Sequence, residues 1–207
     1  MSLRRSHPTL ALPALTIAVL AATVLAVSFD AGAAPAGASI TTVAGAANVL
    51  QPAQRLRPSA PVNFPMQVTP RCMILNNFGD LRSGGRRHEG VDIMATLGQE
   101  VYAMADGTLT YQNVVGDGRA GSALAGNSWK LTSVGGGTYW FYAHLSNFAP
   151  GLAKGATVFK GQVIGYVGDT GNPGPGNYHL HFEWHPGGGA AVNPLTLMTV
   201  PSQCSVV

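Results

Sequence analysis

Residues 128–134 and 138–144 flank the run Gly135-Gly136-Gly137. Each arm alternates polar with apolar or aromatic residues, the two-residue period of a half-buried strand, and the glycines supply the turn. In the second arm Thr138, Trp140, Tyr142 and His144 are expected on one face and Tyr139, Phe141, Ala143 and Leu145 on the other. A hairpin of this kind needs further strands beside it, and the sequence offers them. Residues 91–94, 100–105, 107–114, 157–158, 162–167 and 179–184 are short β-favouring runs bounded by Gly, Pro, Asn or Asp. Only 10% of residues are charged, and the chain holds 27 Gly and 14 Pro, which favours a turn-rich β protein over a helical one. The expectation is a mainly β domain of antiparallel sheets with no helix longer than about two turns.

The chain has 207 residues, enough for one domain and a leader. Arg4 and Arg5 precede an uncharged apolar run over 10–27, and Ala31-Gly32-Ala33 offers a small-residue cleavage site. Residues 1–33 therefore read as a signal peptide, or as a membrane anchor if the leader stays uncleaved. No Cys follows the apolar run to carry a lipid, and the residues after the Arg pair do not suit twin-arginine export. Residues 34–69, rich in Ala, Pro, Gly, Gln and Val, read as a flexible linker or pro-segment. The folded domain is expected over 70–207. Cys72 and Cys204 bracket it, and an even cysteine count in an exported chain points to a disulfide. Closing a loop of that length stabilises by roughly 5 kcal/mol at most in the chain-entropy model. The net charge of +3 is mild, and no Lys/Arg cluster interleaved with aromatics argues for nucleic acid. A monomer, secreted or associated with the cell wall, is expected.

Three places carry chemistry. In Asn177-Tyr178-His179-Leu180-His181-Phe182-Glu183, His179 and His181 share a strand face with Glu183, while Tyr178, Leu180 and Phe182 fill the buried face. In Arg87-His88-Glu89-Gly90-Val91-Asp92, His88 and Asp92 would stand about 13 Å apart on a flat strand, so a helix or a bend must bring them together. A helix would make this a variant of the His-Glu-x-x-His zinc motif with Glu89 as base. Gly90 and the alternation of Val91 with Ile93 favour a bend, with Gly90 supplying the backbone angles. His144, in Tyr142-Ala143-His144-Leu145-Ser146, closes the hairpin arm. Four of the five histidines beyond the leader fall in these places, and His185, beside Pro186, reads as a loop residue. His88, Asp92 and one of His179 and His181 complete the three-ligand set of a catalytic zinc site. Two His and a carboxylate also suit Fe(II); an exported, hairpin-rich chain favours zinc.

Gly98-Gln99-Glu100-Val101 and Gly155-Ala156-Thr157-Val158 echo one another, a hint of a duplicated β unit. Lipoyl- and biotinyl-carrier folds share that look, but neither Lys154 nor Lys160 sits in their hairpin-tip motif.

The ordered set His-x-x-x-Asp, Tyr-Ala-His-Leu-Ser and His-Leu-His-Phe-Glu resembles the lysostaphin/LytM-type zinc metalloendopeptidases that cut peptidoglycan peptides. The likeness runs over about residues 72–198, including Gly161-Gln162-Val163-Ile164-Gly165 and Val192-Asn193-Pro194. It implies a β-sheet groove walled by loops, related to the duplicated hybrid motif. It implies Zn²⁺ held by His88, Asp92 and His181, with His144 and His179 as non-ligand catalytic histidines. Peptidoglycan peptides would be the substrate. All five key positions are filled, unlike members that act only as activators; a wall-binding or regulatory module that keeps its metal site is the competing expectation. Gly176-Asn177-Tyr178 departs from the small residue and Pro commoner before the first strand histidine. Arg82 stands where some members carry a Tyr near the oxyanion, and a substrate contact, a salt bridge or a loop role is open to it.

Overall fold

The structure, a computed structural model, describes residues 63–116, 118 and 122–207. The proposed leader and the part of the linker before residue 63 lie outside the described residues. Ten strands run in chain order: β1 Met73–Leu75, β2 Val91–Met94, β3 Glu100–Tyr102, β4 Gly107–Asn113, β5 Asn127–Ser133, β6 Tyr139–Phe148, β7 Thr157–Val158, β8 Val163–Val167, β9 His179–His185 and β10 Ser205–Val206. Among the described residues the one α-helix is α1 Ser122–Ala125, four residues long, which precedes β5. No helix among the described residues is long and apolar enough to cross a membrane.

The strands form one sheet in the order β10-β1-β2-β9-β6-β5-β4-β7, with β8 pairing β6 and β3 pairing β8. All pairs are antiparallel except β1 with β10, so the sheet is mixed rather than purely antiparallel. The Cys72–Cys204 disulfide sits one residue before each strand of that parallel pair. The core follows the strand period. Ile74, Val91, Ile93, Leu109, Leu131, Leu180 and Phe182 are fully buried. Each such side chain contributes about 1.5–3 kcal/mol through removal from water. Buried polar groups in this core find partners: the Trp129 indole donates to the Ile164 carbonyl at 2.8 Å, and the Tyr142 hydroxyl accepts from the Met104 N–H at 3.0 Å.

Residues 63–69, assigned to the linker from composition, are packed. Phe64 and Met66 are buried in the core, and Gln67 N–H donates to the Glu100 carbonyl at 2.8 Å. Two short apolar anchors in a Pro- and Gln-containing run leave no period to detect.

The face assignment for β6 also changes. Trp140 and Tyr142 point into the core, whereas His144 lines a surface cavity together with Phe141 and Ala143. The cause is local. His144 has φ of 64°, the left-handed region, and the pairing with β5 slips there, so two residues of β6 stand opposite one of β5. This is the geometry of a β-bulge, which re-aims the side chain beyond it. At the same point β6 leaves β9, its last partner pair being Ala143 with His181, and takes up β8 with Leu145 opposite Val167.

Candidate metal centre

β2 and β9 build the centre between them. Their antiparallel register sets Asp92 directly opposite His181 and Met94 opposite His179. Directly paired residues have their side chains about 4.5–5.5 Å apart, so register alone brings the carboxylate to the imidazole. His88 arrives from the bend before β2. Gly90 sits in that bend, but not for its backbone angles: its φ lies outside the left-handed region. A Cβ there would run into the Phe182 carbonyl of β9, so glycine is required for close approach. The bend, not a helix, carries His88 to Asp92.

The donor atoms of His88, Asp92 and His181 all lie within 4.8 Å of one another. His88 Nε2 is 2.8 Å from His181 Nδ1, and each of these nitrogens is 3.2 Å from Asp92 Oδ1. All three residues are largely buried. Two imidazole nitrogens and one carboxylate oxygen converging on one point fit a divalent transition metal such as Zn²⁺ or Fe²⁺ and leave room for a further ligand.

Each donor is fixed from behind. His88 Nδ1 donates to the Asn77 carbonyl at 2.9 Å, leaving Nε2 for the centre. Asp92 Oδ2 accepts from Asn77 Nδ2 and from an Arg82 terminal nitrogen, both at 2.8 Å, leaving Oδ1 for the centre. Arg82 thus takes the salt-bridge role. His181 Nε2 lies 2.8 Å from Glu183 Oε1, which turns Nδ1 inward, and Glu183 Oε2 lies 3.0 Å from His185 Nε2. Such outer partners set ring orientation and ligand basicity. His185 is not a loop residue. It closes β9, is buried, bonds the Gly189 carbonyl at 2.9 Å and stacks on Tyr139 at 4.1 Å.

These contacts shape the ionisation. Burial would raise the Asp92 pKa, but hydrogen bonds and charge from His181 and His88 overcome it and hold the carboxyl below the ordinary range. Burial likewise opposes ionisation of Glu183, and His181 and His185 bring it down to about 2. His181 is pushed the other way: burial disfavours its charge, yet Asp92 and Glu183 raise it to about 9.

His144 and His179 stand beside the triad without belonging to it. Their ring centroids are 4.8 Å apart, and His179 Nε2 is 3.8 Å from Asp92 Oδ1. His144 Nδ1 donates to the Thr170 carbonyl at 2.9 Å, and His179 Nδ1 to the Asn177 carbonyl at 2.8 Å. A carbonyl can only accept, so each neutral ring keeps its lone pair on Nε2. Burial, then the neighbouring His179 and His181, lowers the His144 pKa to about 3; burial chiefly lowers that of His179. Both rings are neutral proton acceptors at neutral pH. Thr170 is tied in turn, its hydroxyl donating to the Leu145 carbonyl at 2.7 Å and accepting from Asn127 N–H at 2.9 Å.

The structure brings all five residues singled out from sequence to one cavity of about 430 Å³. Glu89, the base of the helical alternative, is exposed and does not line it. Sequence reasoning missed Asn77 and Thr170. Each works through both its backbone carbonyl and its side chain, and their only signal is a polar residue in a loop near a motif.

Residues 86–194 match the profile of Peptidase family M23. The chain is 36% identical over 128 residues to the L-Ala–D-Glu endopeptidase of Bacillus subtilis, covering 58% of this chain and 36% of that protein. It is 40% identical over 113 residues to the DD-carboxypeptidase/endopeptidase Mpg of Neisseria meningitidis, covering 54% and 23%. Among solved structures it resembles Csd3 of Helicobacter pylori, with a TM-score of 0.51 and 30% identity over 68% of this chain and 33% of that one. The chain thus spans about a third or less of the length of these relatives.

Proposed function

The chain belongs to peptidase family M23, and from that premise we propose that it is a zinc-dependent endopeptidase hydrolysing amide bonds in peptidoglycan peptides. One observation carries the reading: three metal-type donor atoms converge beside two neutral, non-ligand imidazoles in one cavity. His88 Nε2, Asp92 Oδ1 and His181 Nδ1 would hold the zinc. When bound, zinc polarises a scissile carbonyl and lowers the pKa of water toward 7. One of His144 and His179 accepts a proton at Nε2 from the attacking water. That proton is then delivered to the leaving amine, directly or by way of the other ring's Nε2, and both rings return to the neutral form. Arg82 and Asn77 keep the Asp92 carboxylate aimed, and Glu183 keeps His181 in the tautomer that presents Nδ1.

The relatives named above are called after different peptide bonds, so the substrate is proposed at the level of the peptide class. Export to the cell wall belongs to the same proposal, supported by the leader composition and by a disulfide that suits an oxidising compartment.

The test is incubation of purified, zinc-loaded protein with peptidoglycan. Release of new free amino groups is expected, stopped by chelator and restored by Zn²⁺. Binding to the wall with no amine release would overturn the peptidase reading in favour of a wall-binding module.

A further inference from the structure

Residues 79–88 form a hairpin-like loop that enters the centre directly. Gly79 N–H donates to the His88 carbonyl at 2.8 Å, His88 N–H to the Asp80 carbonyl at 2.8 Å, and Arg82 N–H to the Arg86 carbonyl at 2.9 Å. Leu81 bridges Arg87 across the loop, and the tip turns through Gly84 and Gly85, with φ of 74° and 73°. These φ values are open to glycine at little cost. The ladder fixes the loop to His88, so its arginines keep a set position relative to the donor atoms.

Arg82 and Arg86 both line the cavity that holds the five site residues. Arg82 bonds Asp92 through one terminal nitrogen while its side chain stays 37% exposed, so its guanidinium keeps further N–H donors open to a ligand. Arg86 is exposed and forms no ion pair among the described residues. The acidic side chains lining the cavity, Asp92 and Glu183, are already engaged, by Arg82 and histidines and by His181 and His185 respectively. A divalent cation at the triad would add positive charge. A cavity lined by one ion-paired and one unpaired guanidinium favours a ligand with negative charge, and a planar fork of N–H donors matches a carboxylate.

We propose that the Arg82–Arg86 loop binds a free carboxylate of the substrate, so that the peptides accepted are acidic stem peptides with an unamidated carboxylate near the scissile bond, not neutral glycine bridges. The inference rests on the peptidase reading of the same cavity and narrows it. Arg86 is the specificity residue; Arg82 divides its donors between Asp92 and the incoming carboxylate.

Full-length, zinc-loaded protein is titrated with two synthetic stem peptides, identical except that the carboxylates of one are carboxamides, and with pentaglycine. Cleavage is read in the same samples. The acidic peptide is expected to bind at least about tenfold more tightly than the amidated one, with a preference that shrinks as salt rises. Arg86→Gln should remove most of that preference by weakening the acidic peptide far more than the amidated one, and Arg86→Lys should keep part of it. Equal binding of the two peptides, a preference for pentaglycine, or a ratio untouched by Arg86→Gln would overturn the carboxylate assignment. Equal cleavage of both peptides removes that assignment and leaves the peptidase reading standing. Carboxylate-dependent binding without cleavage of either does the opposite.

Discussion

The triad and the histidine pair share a cavity but are held by different means. His88, Asp92 and His181 are gathered by sheet register and one bend, and each has a partner on the side away from the centre: the Asn77 carbonyl, Asn77 and Arg82 side chains, and Glu183. His144 and His179 are held by single hydrogen bonds to loop carbonyls, those of Thr170 and Asn177. The first arrangement concentrates charge and locks donors, as metal binding demands. The second leaves each ring neutral with one open nitrogen, as proton transfer demands. Under the proposed function, that difference would be a division of labour between binding an ion and moving a proton.

The sharpest way to break this division is to remove one imidazole of the pair. His179→Asn and His144→Asn should each lower kcat by roughly 10²–10⁴-fold. Zinc affinity, read by chelator competition, should stay within about threefold, whereas Glu89→Ala should change neither quantity much. A loss of zinc affinity in either histidine variant would erase the distinction. Next in size, Glu183→Gln should weaken zinc binding by about 10–100-fold, the usual cost of losing an outer partner. The third test is pH. In the metal-free protein His181 is protonated below about 9, while the lowered Asp92 carboxyl is already ionised at neutral pH. Zinc uptake therefore expels a proton from His181, and apparent affinity should rise by about tenfold per pH unit toward 9. Calorimetry in buffers of different ionisation enthalpy would count that proton; a value near zero at pH 7 would show that His181 is not the coupled group.

How much of this was legible follows the same contrast. Strands of strict alternation, β9 above all, declared both their existence and their faces, and the His-Leu-His spacing placed two imidazoles side by side. Alternation should also have put His185 on the face of His181 and Glu183; the adjacent Pro186 drew the reading toward a loop. Failures cluster where the backbone departs from its period. Nothing in Tyr142-Ala143-His144-Leu145 announces a bulge, so Tyr142 was expected on the face of His144 when it lies in the core. Gly90 was expected to serve an unusual backbone angle, and it serves instead a contact with β9 that only pairing reveals. Asn77 and Thr170 act across loops distant in sequence, where pattern carries no information.

The left-handed backbone at His144 has a consequence for how this strand can change. Few residues with a side chain tolerate that conformation, and histidine is among the handful enriched there with asparagine and aspartate. One position therefore answers to two demands, the crossover of β6 from one neighbour to another and the supply of an imidazole. Alanine would upset both at once, while asparagine keeps the crossover and withdraws only the ring. Any lineage that abandoned the chemistry yet kept the fold would have a short list of replacements at this site, with glycine and asparagine at its head.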